Sequence, residues 1–261
     1  MALSSHLIST DFGTSPIVYQ AGTFKNCHPV KYSEKSYWDQ RFELENQTGD
    51  GQHEWFTSYD SFKHLIFEEV KEMDVKNIMI LGCGNSTLSA ELAKDFPEAV
   101  VTSTDYSEIV IKHMAANHGQ YKNLVWKVAD IRSLPSTKYD LVIEKGVVDA
   151  LLAGQKSRNL ESMTPTLRLD MENTFRSIRN TLNHNSKFIS ISFDSPFLRR
   201  KILEHNIPWK VRSRKFISPV SNFEYNFYVC KPSDSSISHN LDIPTICPIE
   251  IPENDVFSID F

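Results

Sequence analysis

Two glycines and three carboxylates are the residues whose spacing could do chemistry. Gly82 and Gly84 fall in Leu81-Gly82-Cys83-Gly84-Asn85-Ser86, directly after the apolar run Ile78-Met79-Ile80. Glycine tolerates positive φ and close backbone approach, so this spacing suits a turn that cradles a cofactor. Asp105 follows about 20 residues on, where the second strand of a nucleotide-binding βαβ unit offers an acid to ribose hydroxyls. Asp130 closes a third apolar stretch and Glu144 a fourth. An acid after the third strand can bind an exocyclic amine, with Ile131 against a purine ring. Asp130 can equally cap a turn, and the residues leave both readings open. A dinucleotide pattern would want a third glycine where Ser86 and Thr87 stand, so a dinucleotide is disfavoured.

These residues need a parallel sheet to meet. Asn77 to Leu81, Ala99 to Thr104, Leu124 to Val128 and Tyr139 to Ile143 read as strands buried on both faces. Helical stretches alternate with them, so successive acids fall at one sheet edge, where doubly wound folds bind ligands. Ser86 is positioned to cap the first of these helices, leaving N–H groups aimed at the glycine turn, and Ser107 the second. Pro165 to Leu182 spaces Leu167, Met171, Phe175, Ile178 and Leu182 as a helix, and Lys187 to Phe193 is a fifth strand. Trp209 to Phe216 and Phe223 to Cys230 read as an antiparallel edge pair. The expected fold is α/β, a doubly wound Rossmann-like seven-strand sheet, mostly parallel with an antiparallel edge strand pair. Its expected limits are a partly ordered lead-in over 1–32, one domain over 33–231 and a flexible tail over 232–261. That tail carries Asp234, Asp242, Glu250, Glu253, Asp255 and Asp260 with no Lys or Arg, although its last six residues are apolar enough to dock.

Composition narrows the partners. A net charge of -5 gives no global attraction to nucleic acid or anionic membrane. No apolar run approaches the ~20 residues of a membrane helix, and the first thirty residues resemble neither a signal nor a transit peptide. The four cysteines are far apart and fit reduced thiols in a cytoplasmic protein. No metal is expected, because the nine histidines lack ligand spacing.

Aromatic residues crowd the segment before the glycine turn: Tyr37, Trp38, Phe42, Trp55 and Phe56. They can pack on the sheet edge, or Trp38, Phe42 and Trp55 can close over a cofactor. Tyr37-Trp38-Asp39-Gln40-Arg41-Phe42, Glu54-Trp55-Phe56, the glycine turn, Asp105-Tyr106-Ser107 and Glu144-Lys145-Gly146-Val147-Val148-Asp149-Ala150-Leu151-Leu152 together carry a resemblance. The chain resembles the seven-β-strand S-adenosylmethionine-dependent lysine methyltransferases, which include those acting on elongation factor 1-alpha. The likeness runs from about Tyr37 to Cys230. It implies a S-adenosyl-L-methionine site made from Trp38, Phe42, Trp55, Gly82, Gly84, Asp105, Tyr106, Asp130, Ile131 and Lys145, and a protein substrate. Phe42 stands where relatives often carry Tyr, and Val147-Val148 replaces their Thr-Leu. Neither change touches the glycines or acids.

Methylating a lysine requires the amine to lose a proton and line up with the donor. Glu144 is the first expected catalytic carboxylate and Asp149 the second, since both follow the strand that should face the methyl group. A helix N-terminal charge is the other reading of Asp149. Lys145 is expected to position the loop rather than act as a base. Two competing classes remain: a methyltransferase acting on RNA or a small molecule, and a non-catalytic cofactor-fold binding module. The first draws on the basic group Arg199, Arg200, Lys201, Lys210, Arg212, Arg214 and Lys215.

Overall fold

A computed structural model describes residues 31–48, 52–155 and 158–233. The expectations for residues 1–30, the Gly49 to Gly51 loop, the acidic tail from Asp234 onward and its apolar end lie outside the described residues, as do Cys27 and Cys247. Helix α1 (Lys35–Thr48) and α2 (Lys63–Val70) precede the sheet. Then β1 (Asn77–Leu81), α3 (Leu88–Asp95), β2 (Val100–Asp105), α4 (Glu108–Asn117), β3 (Leu124–Val128) and β4 (Tyr139–Lys145) alternate. A short α5 (Val147–Leu151), α6 (Pro165–Asn180), β5 (Leu182–Ser192) and α7 (Pro196–Leu203) follow, and β6 (Trp209–Ile217) and β7 (Glu224–Pro232) close the sheet.

The seven strands run in the order β3-β2-β1-β4-β5-β7-β6. All pairs from β3 to β5 are parallel. β7 is antiparallel to both neighbours, inserted between β5 and the edge strand β6. The expected mixed sheet with its antiparallel pair is therefore the observed one. The strand order reverses between β1 and β4, which opens the crevice where such sheets take ligands.

Strand alternation divides the core into two layers. Ile78 and Ile80 of β1 face one side with Ile143, Ile189 and Phe227, under Phe62, which precedes α2, Ile66 of α2 and Leu92 of α3. Met79 and Leu81 face the other with Val142, Phe188 and Tyr228, against Phe175 of α6 and Leu203 of α7. Each fully buried aliphatic or phenyl side chain contributes about 1.5–3 kcal/mol, so the central strands are the rigid part of the molecule. Everything at their C-terminal ends is held by that core.

Candidate active site

A cavity of about 380 Å³ opens along the C-terminal strand ends, within the size range of ligand pockets. Gly82, Gly84, Asp105, Tyr106, Asp130, Ile131 and Lys145 all line it, as do Trp38, Phe42 and Trp55. The sheet order spreads the lining over two ends. Asp105 and Asp130 lie at the ends of β2 and β3 on one side of the glycine turn. Gly146, Asp149 and Phe193, after β4 and β5, lie on the other.

Gly82 has φ +57°, and a Cβ there would come within 2.3 Å of Val147 Cγ2. The residue is fixed by backbone conformation and by the close pass of the loop after β4, not by the ligand space alone. Asp105 is buried. Its Oδ2 accepts from Gly84 N–H at 3.0 Å and its Oδ1 from Ser107 N–H at 2.9 Å. Burial pushes the carboxyl up to about 6, against those hydrogen bonds. Each oxygen keeps a lone pair for a further donor. Of the two readings left open for Asp130, the turn cap is the one observed. It caps a short 3-10 turn through Arg132 N–H at 2.9 Å and pairs with the Arg132 guanidinium at 2.6 Å, while still lining the cavity. Burial opposes its ionisation, but Arg132 wins and holds the carboxyl below its ordinary value.

The aromatic segment forms a wall. The Trp38 and Trp55 rings meet edge to face at 5.5 Å, Phe42 lies 5.7 Å from Trp38, and the Arg41 guanidinium sits 5.3 Å over Trp55. Helix α1 carries this wall and is tied to the sheet edge at two points: Ser107 Oγ donates to Asp39 at 2.6 Å, and Asn85 Nδ2 to Glu45 at 2.9 Å. Ser107 thus spends its hydroxyl on α1 and makes no side-chain cap to α4.

Glu54, which had no assigned role, organises the centre. Its carboxylate accepts from Ser86 Oγ at 2.7 Å, from Thr87 N–H at 2.6 Å and from Lys145 Nζ at 2.9 Å. The N–H groups expected to face the turn freely are therefore partly engaged, and the residue flanking α3 is Thr87 rather than Ser86. Lys145 also donates to the Trp55 carbonyl at 2.7 Å. Burial draws its ammonium below the ordinary value, with Glu54 opposing. It fixes the loop, as expected.

The two expected catalytic carboxylates part company. Glu144 is fully buried and is not among the residues lining the cavity. Its Oε2 accepts from Val147 N–H at 2.9 Å and Val148 N–H at 3.3 Å, and Ser190 Oγ donates to Oε1. Burial pushes it up to about 7, with Arg199 opposing. The carboxylate of the two that reaches the cavity lining is Asp149. Its Oδ1 takes Ser192 Oγ at 2.8 Å, Arg199 Nη2 at 2.8 Å and Arg158 Nη1 at 3.2 Å. Its Oδ2 is enclosed by protein with no hydrogen-bond partner among the described residues. Burial lifts the carboxyl above the usual range, against the pull of Arg199. Asp194 completes the cluster, bound to Arg199 at 2.9 Å and Arg158 at 2.7 Å. Arg158, Ser192, Asp194 and Arg199 carry no local sequence signal for this; only the fold brings them to Asp149.

Most of the basic group is buried or paired. Arg199 is buried, Arg200 pairs with Glu204, Lys201 lies 3.7 Å from Glu161, Arg212 pairs with Glu69, Arg214 with Glu68 and Lys215 with Glu224, while Lys210 is exposed. Cys83 and Cys230 are buried thiols, both lifted by burial, which suits Cys83 as a small turn residue. Among the described residues there is no metal-ligating cluster of three or more groups, and no helix long and apolar enough to cross a membrane.

Comparison with known proteins gives these residues a context. The family described as a methyltransferase domain matches residues 73–221. The chain is similar to the EEF1A lysine methyltransferase 4 of Bos taurus, 33% identical over 209 residues, covering 78% of this chain and 76% of that one. Its likeness to the Mus musculus protein of the same name is 34% over 203 residues, 76% of this chain and 75% of that one. A more distant similarity, 24% over 193 residues, joins it to the eEF1A lysine and N-terminal methyltransferase of Mus musculus, covering 72% of this chain and 26% of that one.

Proposed function

Because the chain belongs to the methyltransferase-domain family, we propose that it is a S-adenosyl-L-methionine-dependent protein-lysine N-methyltransferase acting on elongation factor 1-alpha. The relatives whose names carry that substrate match over three-quarters of their own length. The observation that carries the reading is Asp149, a buried carboxylate in the cavity lining across the glycine turn from Asp105, whose Oδ2 has no hydrogen-bond partner among the described residues.

The residues present suit the cofactor. Asp105 offers two carboxylate oxygens, already oriented by backbone N–H groups, to a pair of hydroxyls. Tyr106, Asp130 and Ile131 offer an apolar slot with a polar edge, and Gly82, Gly84 and the Trp38, Phe42 and Trp55 wall enclose the remainder. Bound there, the cofactor supplies a methyl group on a sulfonium, which takes the bonding electrons back as a thioether when the amine nitrogen receives the methyl.

The chain's own contribution is alignment and water exclusion, which can supply several kcal/mol of the barrier. Lys145 and Glu54 lock the Trp55 segment to the ends of β1 and β4. Glu144 holds the start of α5 through the Val147 and Val148 N–H groups. That fixes Asp149 on the same short helix. The Asp149 carboxylate, in the cavity lining, accepts one amine N–H, leaving the nitrogen lone pair for the methyl.

A test is tritiated methyl transfer from the cofactor into a cell extract and into purified elongation factor 1-alpha. Asp105→Ala and Asp149→Asn serve as controls. Label in the factor, mapped to one lysine and lost in both variants, supports the reading. Label confined to RNA or small molecules would replace it, and cofactor binding without transfer to anything would sink it. The paired state of most of the basic residues is the reason RNA is the weaker alternative.

A further inference from the structure

The acceptor end of the cavity holds two carboxylates and two guanidiniums. Asp149 comes from α5, Asp194 from the segment after β5, Arg199 from α7 and Arg158 from the segment after α5. Arg199 has no exposed side-chain surface, whereas the Arg158 side chain is 22% exposed and lies in the cavity lining. Its guanidinium carbon also sits 4.6 Å over the Phe193 ring. Facing the same cluster are Glu144 from β4 and the Tyr228 hydroxyl from β7, which donates to the Asp194 carbonyl at 2.5 Å. The Lys145–Glu54 pair, on the wall toward the glycine turn, is balanced within itself.

With Arg158 in place, the Asp149–Asp194 pair already has its counter-charges. Against Asp149 and Asp194 an incoming ammonium would be a third cation beside Arg158 and Arg199, in a cluster that only Arg158 opens to water. Glu144, raised to about 7 by burial, adds no full charge at pH 7. A neutral amine meets no such penalty and can still donate to the Asp149 carboxylate in the cavity lining. Like charge beside an amine is a known way of favouring its neutral form. We infer that Arg158 is a positioning residue that acts through Asp149 to make the acceptor end select the target lysine as its neutral amine. The inference rests on the protein-lysine reading and deepens it: the surplus proton of the lysine leaves to solvent before entry, so no buried base has to take it up.

The consequence is a split between KM and kcat. In the wild-type protein, KM for elongation factor 1-alpha falls as pH rises from 7 to 9, by up to about tenfold per pH unit, while kcat stays level. In Arg158→Gln the uncompensated carboxylates hold an ammonium, so KM at pH 7 drops several-fold and loses its pH dependence. At the same time kcat at pH 7 falls and climbs with pH, because the amine now sheds its proton after binding. Arg158→Lys keeps the charge and behaves as wild type. Asp194→Asn, leaving one cation in excess, raises KM at pH 7 and gives an independent reading if the glutamine variant does not fold. The same Arg158→Gln shift in a Glu144→Gln background shows that Glu144 titration is not its source. A uniform change in kcat and KM at every pH would mark Arg158 as merely structural and overturn the inference, as would a wild-type KM that ignores pH. A wild-type protein that transfers no methyl to the factor would overturn the substrate reading and this inference together.

Discussion

At the β1–β3 end of the cavity, the functional groups are set by backbone and by near neighbours in sequence. Gly84 and Ser107 N–H groups hold Asp105, and Arg132 holds Asp130 two residues away. At the β4–β5 end, Asp149 is set by Arg158, Ser192 and Arg199, contributed by three segments that follow it at distances of up to dozens of residues. The first end presents hydrogen-bonding atoms whose positions follow from the strand and turn geometry. The second is a buried ion cluster whose charges are interdependent. Backbone-held sites tolerate loss of one side chain locally, whereas a buried cluster transmits each loss to its other members.

Breaking the cluster is the harshest test of this contrast. Arg199→Met leaves Asp149 and Asp194 with less compensation and is expected to cost about 3–5 kcal/mol, read by urea unfolding. A loss below 1 kcal/mol would place the stability of this end elsewhere. The functional counterpart is a double dissociation. Asp149→Asn lowers kcat roughly a hundredfold with cofactor Kd nearly unchanged, whereas Asp105→Ala weakens cofactor Kd by roughly 10- to 100-fold, by calorimetric titration. If both variants moved both quantities alike, the two ends would be one.

Asp105 sharpens the comparison further through pH. Its carboxyl sits at about 6, so protonation below that value removes an acceptor from the hydroxyl site. Cofactor affinity is expected to fall several-fold between pH 7 and pH 5, and Asp105→Asn to flatten that limb. Glu144→Gln gives the smallest effect. The wild-type carboxyl rises from 4.5 to about 7 on burial. A group raised in this way stabilises the fold fully below its unfolded value, and that contribution is lost as pH climbs through 7. The variant lacks the loss, so its stability relative to wild type should rise by on the order of 1 kcal/mol between pH 5 and pH 8, with the Val147 and Val148 N–H groups still accepted by the amide oxygen.

Much of the first end was legible in the residues. The β1 and β3 limits match the expected strands residue for residue, and β2 begins one residue late and ends on Asp105. Apolar runs bounded by turn residues fix β1 and most of β2, which are buried on both faces, whereas β3 sits at the sheet edge with Val125 and Val128 exposed. Caps were read less well. Ser86 and Ser107 both look like helix caps by type and place. Ser86 Oγ does accept from Leu88 N–H at 3.2 Å while donating to Glu54, but the Ser107 hydroxyl goes to Asp39. Those partners lie on segments that the sequence could not bring near. Glu144 and Asp149 both follow from β4, but the strand end points Glu144 into the core, while one turn of helix returns Asp149 to the cavity lining.

The sequence by itself determined the glycine turn, the acids at successive strand ends, the buried strands and the aromatic segment that joins them. Those follow from local conformation and periodicity, which each stretch carries in its own residues. Only the tertiary structure decided which carboxylate meets the cavity, that Glu54 locks Lys145 to the glycine turn, and that Arg158 and Arg199 balance Asp149 and Asp194. Charge compensation in a buried site depends on distances of a few ångströms between residues far apart in the chain, and no spacing along one segment encodes them.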